Sequence, residues 1–149
     1  MKKILFVCHG NICRSPMAEF IMKDLVKKSN CEKDFIIDSA ATSTEELGND
    51  IHYGTRKKLL QQNIPFQKHS ARQITKQDYN YYDYLIAMDE ENIYSMKQKW
   101  NNDPQNKIKM LLSFAEKNAA VADPWYTGNF DKTFEDIFEG CNALLKKIL

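Results

Sequence analysis

An α/β domain built on a parallel sheet is the fold class the sequence predicts, and three observations predict it. Short β-branched or aromatic runs alternate with longer helical stretches along all 149 residues. The first run, Lys3 to Val7, is continuously apolar after its lysine, as in a strand covered on both faces. At the other end, Phe134, Ile137, Phe138, Cys141, Leu144, Leu145 and Ile148 recur at i+3 and i+4, the spacing of one buried helical face.

The elements follow in order. After the strand at Lys3 to Val7, Ser15-Pro16 opens a helix, with Ser as a good N-cap and Pro as a favoured first helical residue. Met17, Phe20, Ile21 and Leu25 form its buried stripe. A second strand is expected at Phe35 to Ser39, and a helix from Gly54 to Gln62 that stops at Asn63-Ile64-Pro65. Tyr84 to Met88 reads as a third strand, with a helix beginning after Asp89, and Lys107 to Leu112 as a fourth. Between Ala122 and Phe130 the Asp-Pro and Thr-Gly pairs mark a loop. No repeat, low-complexity tract or linker interrupts this order, so residues 1–149 are read as one domain.

Composition narrows the function classes. Lys plus Arg number 21 against 20 Asp plus Glu, a net charge of +1 without the basic excess of a nucleic-acid binder. No apolar stretch approaches the roughly 18 residues that cross a bilayer. The apolar run after Met1-Lys2-Lys3 ends within four residues, so it reads as a strand and not a secretion signal, and a cytoplasmic location is expected. Four cysteines lie at 8, 13, 31 and 141, with no C-x-x-C pair and no histidine cluster, so no metal site is expected. Cys141 falls on the apolar stripe of the last helix, and Cys31 lies in a polar connection with no role assigned.

The informative segment is Cys8-His9-Gly10-Asn11-Ile12-Cys13-Arg14-Ser15-Pro16. It joins a buried strand to a helix over few residues, so the backbone must curl, and Gly10 and Asn11 tolerate the positive φ such a turn demands. Backbone N–H groups then point inward, with a helix N-terminus just beyond, which makes an anion site. Cys8 stands at the start of the curl, where the same N–H groups and helix dipole favour a thiolate. Arg14 adds a planar guanidinium suited to two phosphate oxygens. Ser15 can donate its hydroxyl to the sulfur. A nucleophilic sulfur under an oxyanion cradle suits covalent phosphoryl transfer. A chance C-x5-R-[ST] in a chain of this composition is expected on the order of one time in a hundred. The plain alternative for Cys8 is an ordinary buried thiol at a strand end. For the acid of such a mechanism, Asp123-Pro124-Trp125-Tyr126 offers Asp123, in a loop expected at the same sheet edge. Asp-Pro is also common turn chemistry and recurs at Asp103-Pro104.

These residues resemble the low-molecular-weight protein tyrosine phosphatases. The resemblance is carried by the segment from Cys8 to Pro16, then Ile37-Asp38-Ser39-Ala40, His69-Ser70-Ala71-Arg72-Gln73-Ile74, Ala87-Met88-Asp89-Glu90 and Asp123-Pro124, in order over nearly the whole chain. It implies a four-stranded parallel sheet with helices on both faces and a phosphate-binding loop between the first strand and first helix. It implies hydrolysis of phosphotyrosine in a protein or peptide, without metal or cofactor, through a cysteinyl-phosphate. Cys8 would be the nucleophile, Arg14 the phosphate ligand and Asp123 the acid and then base. His9, Gly10, Asn11, Ile12, Cys13, Arg14 and Ser15 would bind phosphate through the loop, with Asn11, Ser15, Ser39 and His69 supporting it. Cys13 matches the family's second loop cysteine, either a partner for a reversible disulfide with Cys8 or a small side chain packed under the loop.

Two departures bear on substrate choice. Where the family usually has Ser-Ala-Gly-Thr and then an aromatic wall, the chain has Ser39-Ala40-Ala41-Thr42-Ser43-Thr44-Glu45, with Glu45 at the position expected for Trp. A wall is lost and a carboxylate there should repel a dianion, leaving Trp125 and Tyr126 to line the substrate slot. The family's Pro-x-Asp is also absent, replaced by Ile51-His52-Tyr53. Ile12 stands where related bacterial arginine phosphatases tend to carry Thr, which weighs against phosphoarginine. Two rival functions are an arsenate reductase, which needs relay cysteines that Tyr79 to Met88 lacks, and a non-catalytic phosphate-binding module, which has no need of the thiol or the late acid.

Overall fold

A computed structural model describes residues 1–149. Its four strands are β1 (Lys2–Cys8), β2 (Phe35–Ala41), β3 (Tyr84–Ala87) and β4 (Ile108–Met110). All pairings are parallel, in the order β2-β1-β3-β4. The six helices are α1 (Arg14–Lys28), α2 (Tyr53–Gln61), α3 (Lys76–Tyr81), α4 (Glu90–Lys99), α5 (Pro124–Thr127) and α6 (Phe130–Ile148).

The unbroken apolar run of β1 is explained by two cores, one on each face. Ile4 and Phe6 join a cluster of 25 buried residues that includes Met17 and Ile21 of α1 and Ile137 and Leu144 of α6. Leu5 and Val7 point the other way, into a cluster of 11 with Leu85, Met96 and Trp100. Both sets on β1 are fully buried, as a strand with helices on both faces requires.

Several local expectations need correction. Ser15 does not cap α1: the N-cap position is Cys13, with no side-chain cap, and Ser15 lies one residue into the helix. Its hydroxyl is drawn instead to Cys8 and Asn11. Phe138 was expected on the buried face of α6 but is 42 % exposed, its ring stacked 5.6 Å from that of Phe134. The fourth strand is shorter than Lys107 to Leu112 because a 3-10 turn begins at Leu111. The loop after Ala122 contains the short α5, and α3 was not anticipated at all. Cys141 is fully buried in the larger core. Cys31, half-buried against the same core, donates to the Val26 carbonyl at 3.5 Å.

Candidate active site

The strand order places the site. The chain leaves β1 for β2 on one side and returns to β3 on the other, so a crevice opens at the carboxyl end of β1. The segment from Cys8 to Arg14 fills that crevice. Of the two residues expected to take positive φ, only Asn11 does, at 60°. Gly10 has a packing reason instead: a Cβ there would lie 3.3 Å from the Glu46 Cγ.

The curl is held from outside by its carbonyls. Those of Cys8 and His9 accept the Thr42 and Ser43 amides at 2.9 and 3.1 Å, and that of Ile12 accepts the His52 amide at 2.9 Å. The Asn11 carbonyl accepts from His69 Nε2 at 2.8 Å, which assigns the His69 proton to Nε2. Carbonyls turned outward leave the opposite side of the curl to the N–H groups, and the Asn11 amide lies 3.3 Å from Cys8 Sγ.

Asn11, Ser15, Ser39 and His69 lie together around the curl. Asn11 Nδ2 donates to Ser15 Oγ at 2.8 Å and Ser39 Oγ at 2.9 Å, while its Oδ1 accepts the Arg72 amide at 3.2 Å. Ser15 Oγ lies 3.0 Å from Cys8 Sγ. Cys13 is buried beside them as a free thiol, and burial, then the charge of Cys8, push it up to about 12, so at neutral pH it stays protonated.

Arg14 is only 3 % exposed, and two carboxylates hold it. Its Nη2 lies 2.9 Å from Asp89 Oδ2 and 3.3 Å from Asp123 Oδ2, while Nη1 donates to the Val121 carbonyl at 3.1 Å. Asp123 also caps α5, its Oδ1 accepting the Trp125 amide at 3.0 Å. The Asp123 carboxylate is thereby fixed at the edge of the curl.

Cys8, the curl, Asp89 and Asp123 line one cavity of about 940 Å³, with Glu45, Trp125 and Tyr126 at its mouth. Glu45 lines this cavity, but its charge is not bare: His9 Nε2 lies 2.9 Å from Glu45 Oε2. Whenever His9 is protonated the two form an ion pair, which blunts the expected repulsion. Trp125 and Tyr126 are 66 % and 85 % exposed, and the rings of Trp125 and His52 meet edge to face with centroids 6.3 Å apart. His52 itself stacks on Phe130 and N-caps α2 in place of the absent Pro-x-Asp.

Two residues of the site were given no site role by the sequence reading. Asp89 was read as a helix start, and it is the N-cap of α4, yet its other oxygen binds Arg14. Glu19 lies within the apolar part of α1, 8 % exposed, and accepts from Ser39 Oγ at 2.6 Å. For Asp89 the signal was available: a strand end in a parallel sheet, followed by an acid. Glu19 gave none beyond being charged among buried neighbours. No group of three or more His, Cys, Asp or Glu is arranged to hold a metal ion.

Residues 3–149 match the profile of the family described as low molecular weight phosphotyrosine protein phosphatase. The low molecular weight protein-tyrosine-phosphatase YfkJ of Bacillus subtilis (strain 168) is 44% identical over 150 residues, covering 99% of this chain and 96% of the relative. Its crystal structure superposes with a TM-score of 0.96, covering 99% of this chain and 94% of that one. The Gallus gallus low molecular weight phosphotyrosine protein phosphatase is 41% identical, covering 100% and 94% of the two chains. A Drosophila arginine phosphatase structure is 32% identical with a TM-score of 0.89, covering 99% of this chain and 97% of that one.

Proposed function

The chain belongs to the low molecular weight phosphotyrosine protein phosphatase family, and we propose that it hydrolyses phosphotyrosine in proteins or peptides through a cysteinyl-phosphate on Cys8. The observation that carries this reading is the convergence of three groups on one cavity: Cys8 at its floor, Arg14 buried beside it, and the Asp123 carboxylate 3.3 Å from Arg14.

In the first step Cys8 Sγ attacks phosphorus, the S–P bond forms and the P–O bond to the tyrosyl ring breaks. Asp123 gives its proton to the departing phenolate oxygen. The inward amides and the Arg14 guanidinium match the charge spread over the equatorial oxygens. In the second step water attacks phosphorus, Asp123 takes its proton, and the S–P bond breaks with its electron pair returning to sulfur. The Ser15 hydroxyl, 3.0 Å away, then stabilises the thiolate. The reading calls for no metal and no cofactor, and it involves neither nucleic acid nor membrane. No helix is long and apolar enough to cross a bilayer.

Arsenate reduction is disfavoured by the same geometry. Cys141 is fully buried in the core, and Cys31 follows the carboxyl end of α1, whose amino end forms the site. Phosphoarginine is a second substrate to compare, given the Drosophila relative's name, with Ile12 lining the cavity against it.

The test is a panel of phosphotyrosine, phosphoserine, phosphoarginine and arsenate with wild type and Cys8→Ser. The expected result is turnover of phosphotyrosine alone, abolished in Cys8→Ser, with phosphate binding retained. Appreciable turnover by Cys8→Ser would sink the mechanism, and faster release from phosphoarginine would reassign the substrate.

A further inference from the structure

We propose that Glu19 is a positioning residue for the nucleophile: from the far end of a buried hydrogen-bond chain it fixes the Ser15 hydroxyl toward Cys8. The inference rests on the assignment of Cys8 as nucleophile.

The chain can be followed donor by donor. Glu19 Oε1 accepts from Ser39 Oγ at 2.6 Å, and its Oε2 pairs with Lys23 Nζ at 2.6 Å. A carboxylate only accepts, so the single proton of Ser39 is committed to Glu19. Ser39 Oγ must then accept from the other side, and it does so from Asn11 Nδ2 at 2.9 Å. The second hydrogen of that same amide goes to Ser15 Oγ at 2.8 Å. Ser15 therefore has its proton free to donate. Cys8 Sγ lies 3.0 Å away, and the competing Ala40 carbonyl is farther, at 3.5 Å.

Burial makes this direction matter. Cys8, Asn11, Ser15, Glu19 and Ser39 are all buried, so water cannot reorient any hydroxyl. Two acceptor-only ends, a carboxylate and a thiolate, leave one consistent arrangement of the hydrogens between them. With Gln at 19, the side chain can donate as well as accept. Ser39 is then free to turn, and the Asn11 amide, still held by the Arg72 amide at Oδ1, loses one of its three restraints, so that the Ser15 proton is shared more with Ala40. No proton moves along the chain during turnover. Glu19 acts by orientation, and its effect appears where sulfur carries charge.

The test is a double-mutant cycle of Glu19→Gln with Ser15→Ala, read as kcat and KM on an aryl phosphate. Glu19→Gln alone is expected to lower kcat about tenfold, the scale of one hydrogen bond to a charged group, with KM within about twofold. Ser39→Ala interrupts the same chain and should reproduce that loss. In the Ser15→Ala background Glu19→Gln should cost nothing further, because the group it acts through is gone. The same tenfold loss in both backgrounds, a loss confined to KM, or no loss at all would overturn the proposal. The outcome separates from the functional reading: a wild type that turns over with a silent Glu19→Gln defeats this inference alone, whereas a wild type that fails on aryl phosphates defeats both.

Discussion

Cys8 to Ser15 at the floor of the cleft and Trp125-Tyr126 at its rim stand at one edge of the sheet, but they are held in opposite ways. At the floor, Asn11 and Ser15 are fully buried, and the carbonyls of Cys8, His9, Asn11 and Ile12 are each engaged by a neighbouring element. At the rim, the two aromatics are largely exposed, and only Trp125 touches another ring, that of His52. The contrast teaches where each task is placed. Stabilising a transition state requires groups already fixed when charge develops, so the floor is rigidly tied. In the proposed reaction, accepting a ring on a polypeptide calls for apolar area with some freedom, which the exposed side chains of α5 would supply.

Asp123 joins the two regions, since it binds Arg14 of the floor and caps the rim helix, and its loss should give the largest separation between substrates. Asp123→Asn keeps an acceptor for the Trp125 amide but cannot deliver a proton. We expect kcat/KM on phosphotyrosine to fall about 10²- to 10³-fold, and on p-nitrophenyl phosphate, whose leaving oxygen needs little protonation, less than about tenfold. Equal losses on both would show that Asp123 serves only to hold the rim to the floor.

Next in size is a break within the floor. Asn11→Ala removes a fully buried side chain that satisfies Ser15, Ser39 and the Arg72 amide, and places Ala at φ 60°. A destabilisation of about 2–3 kcal/mol is expected, read by urea denaturation, with kcat lowered about tenfold or more. Trp125→Ala should leave stability nearly unchanged by the same measurement. If the two variants melted alike, the claimed difference in how floor and rim are held would be wrong.

The same contrast explains what could be read in the sequence. The floor was legible because its constraints are local: a strand end, an asparagine at positive φ, an arginine and a serine at fixed spacing. The cores on either side of β1 were legible in its unbroken apolar run. The capping box Thr75-Lys76-Gln77-Asp78 that starts α3 was there to read, but six residues are too few to show a period. Glu19 gave no signal, and for Asp89 only its place at a strand end was legible, because their partners Ser39 and Arg14 are brought to them by the fold, across 20 and 75 positions. Ser15 misled because its type suits a helix cap, while its hydroxyl is drawn to Cys8 and Asn11. At the rim, residue type suggested a slot without revealing that Glu45 would be matched by His9.

That pairing sets the smallest and most discriminating prediction. Besides Asp123, which carries a proton in the proposed first step, five carboxylates, those of Glu45, Glu46, Asp89, Glu90 and Glu91, line the cavity against the single guanidinium of Arg14, so a dianionic substrate enters against an unfavourable field. Glu45→Trp removes one of these charges and adds an aromatic side chain to the cavity lining, at the expense of the His9 contact. Because Glu45 is exposed, the electrostatic part is screened, and KM for a phosphotyrosine peptide should fall only about two- to fivefold. The gain should shrink for p-nitrophenyl phosphate, which has little beyond one ring to stack. Kinetics unchanged on the peptide would mean that Glu45 and His9 already form a wall as serviceable as an aromatic one. The rim would then be polar by construction, and only Trp125 and Tyr126 would remain to recognise the ring.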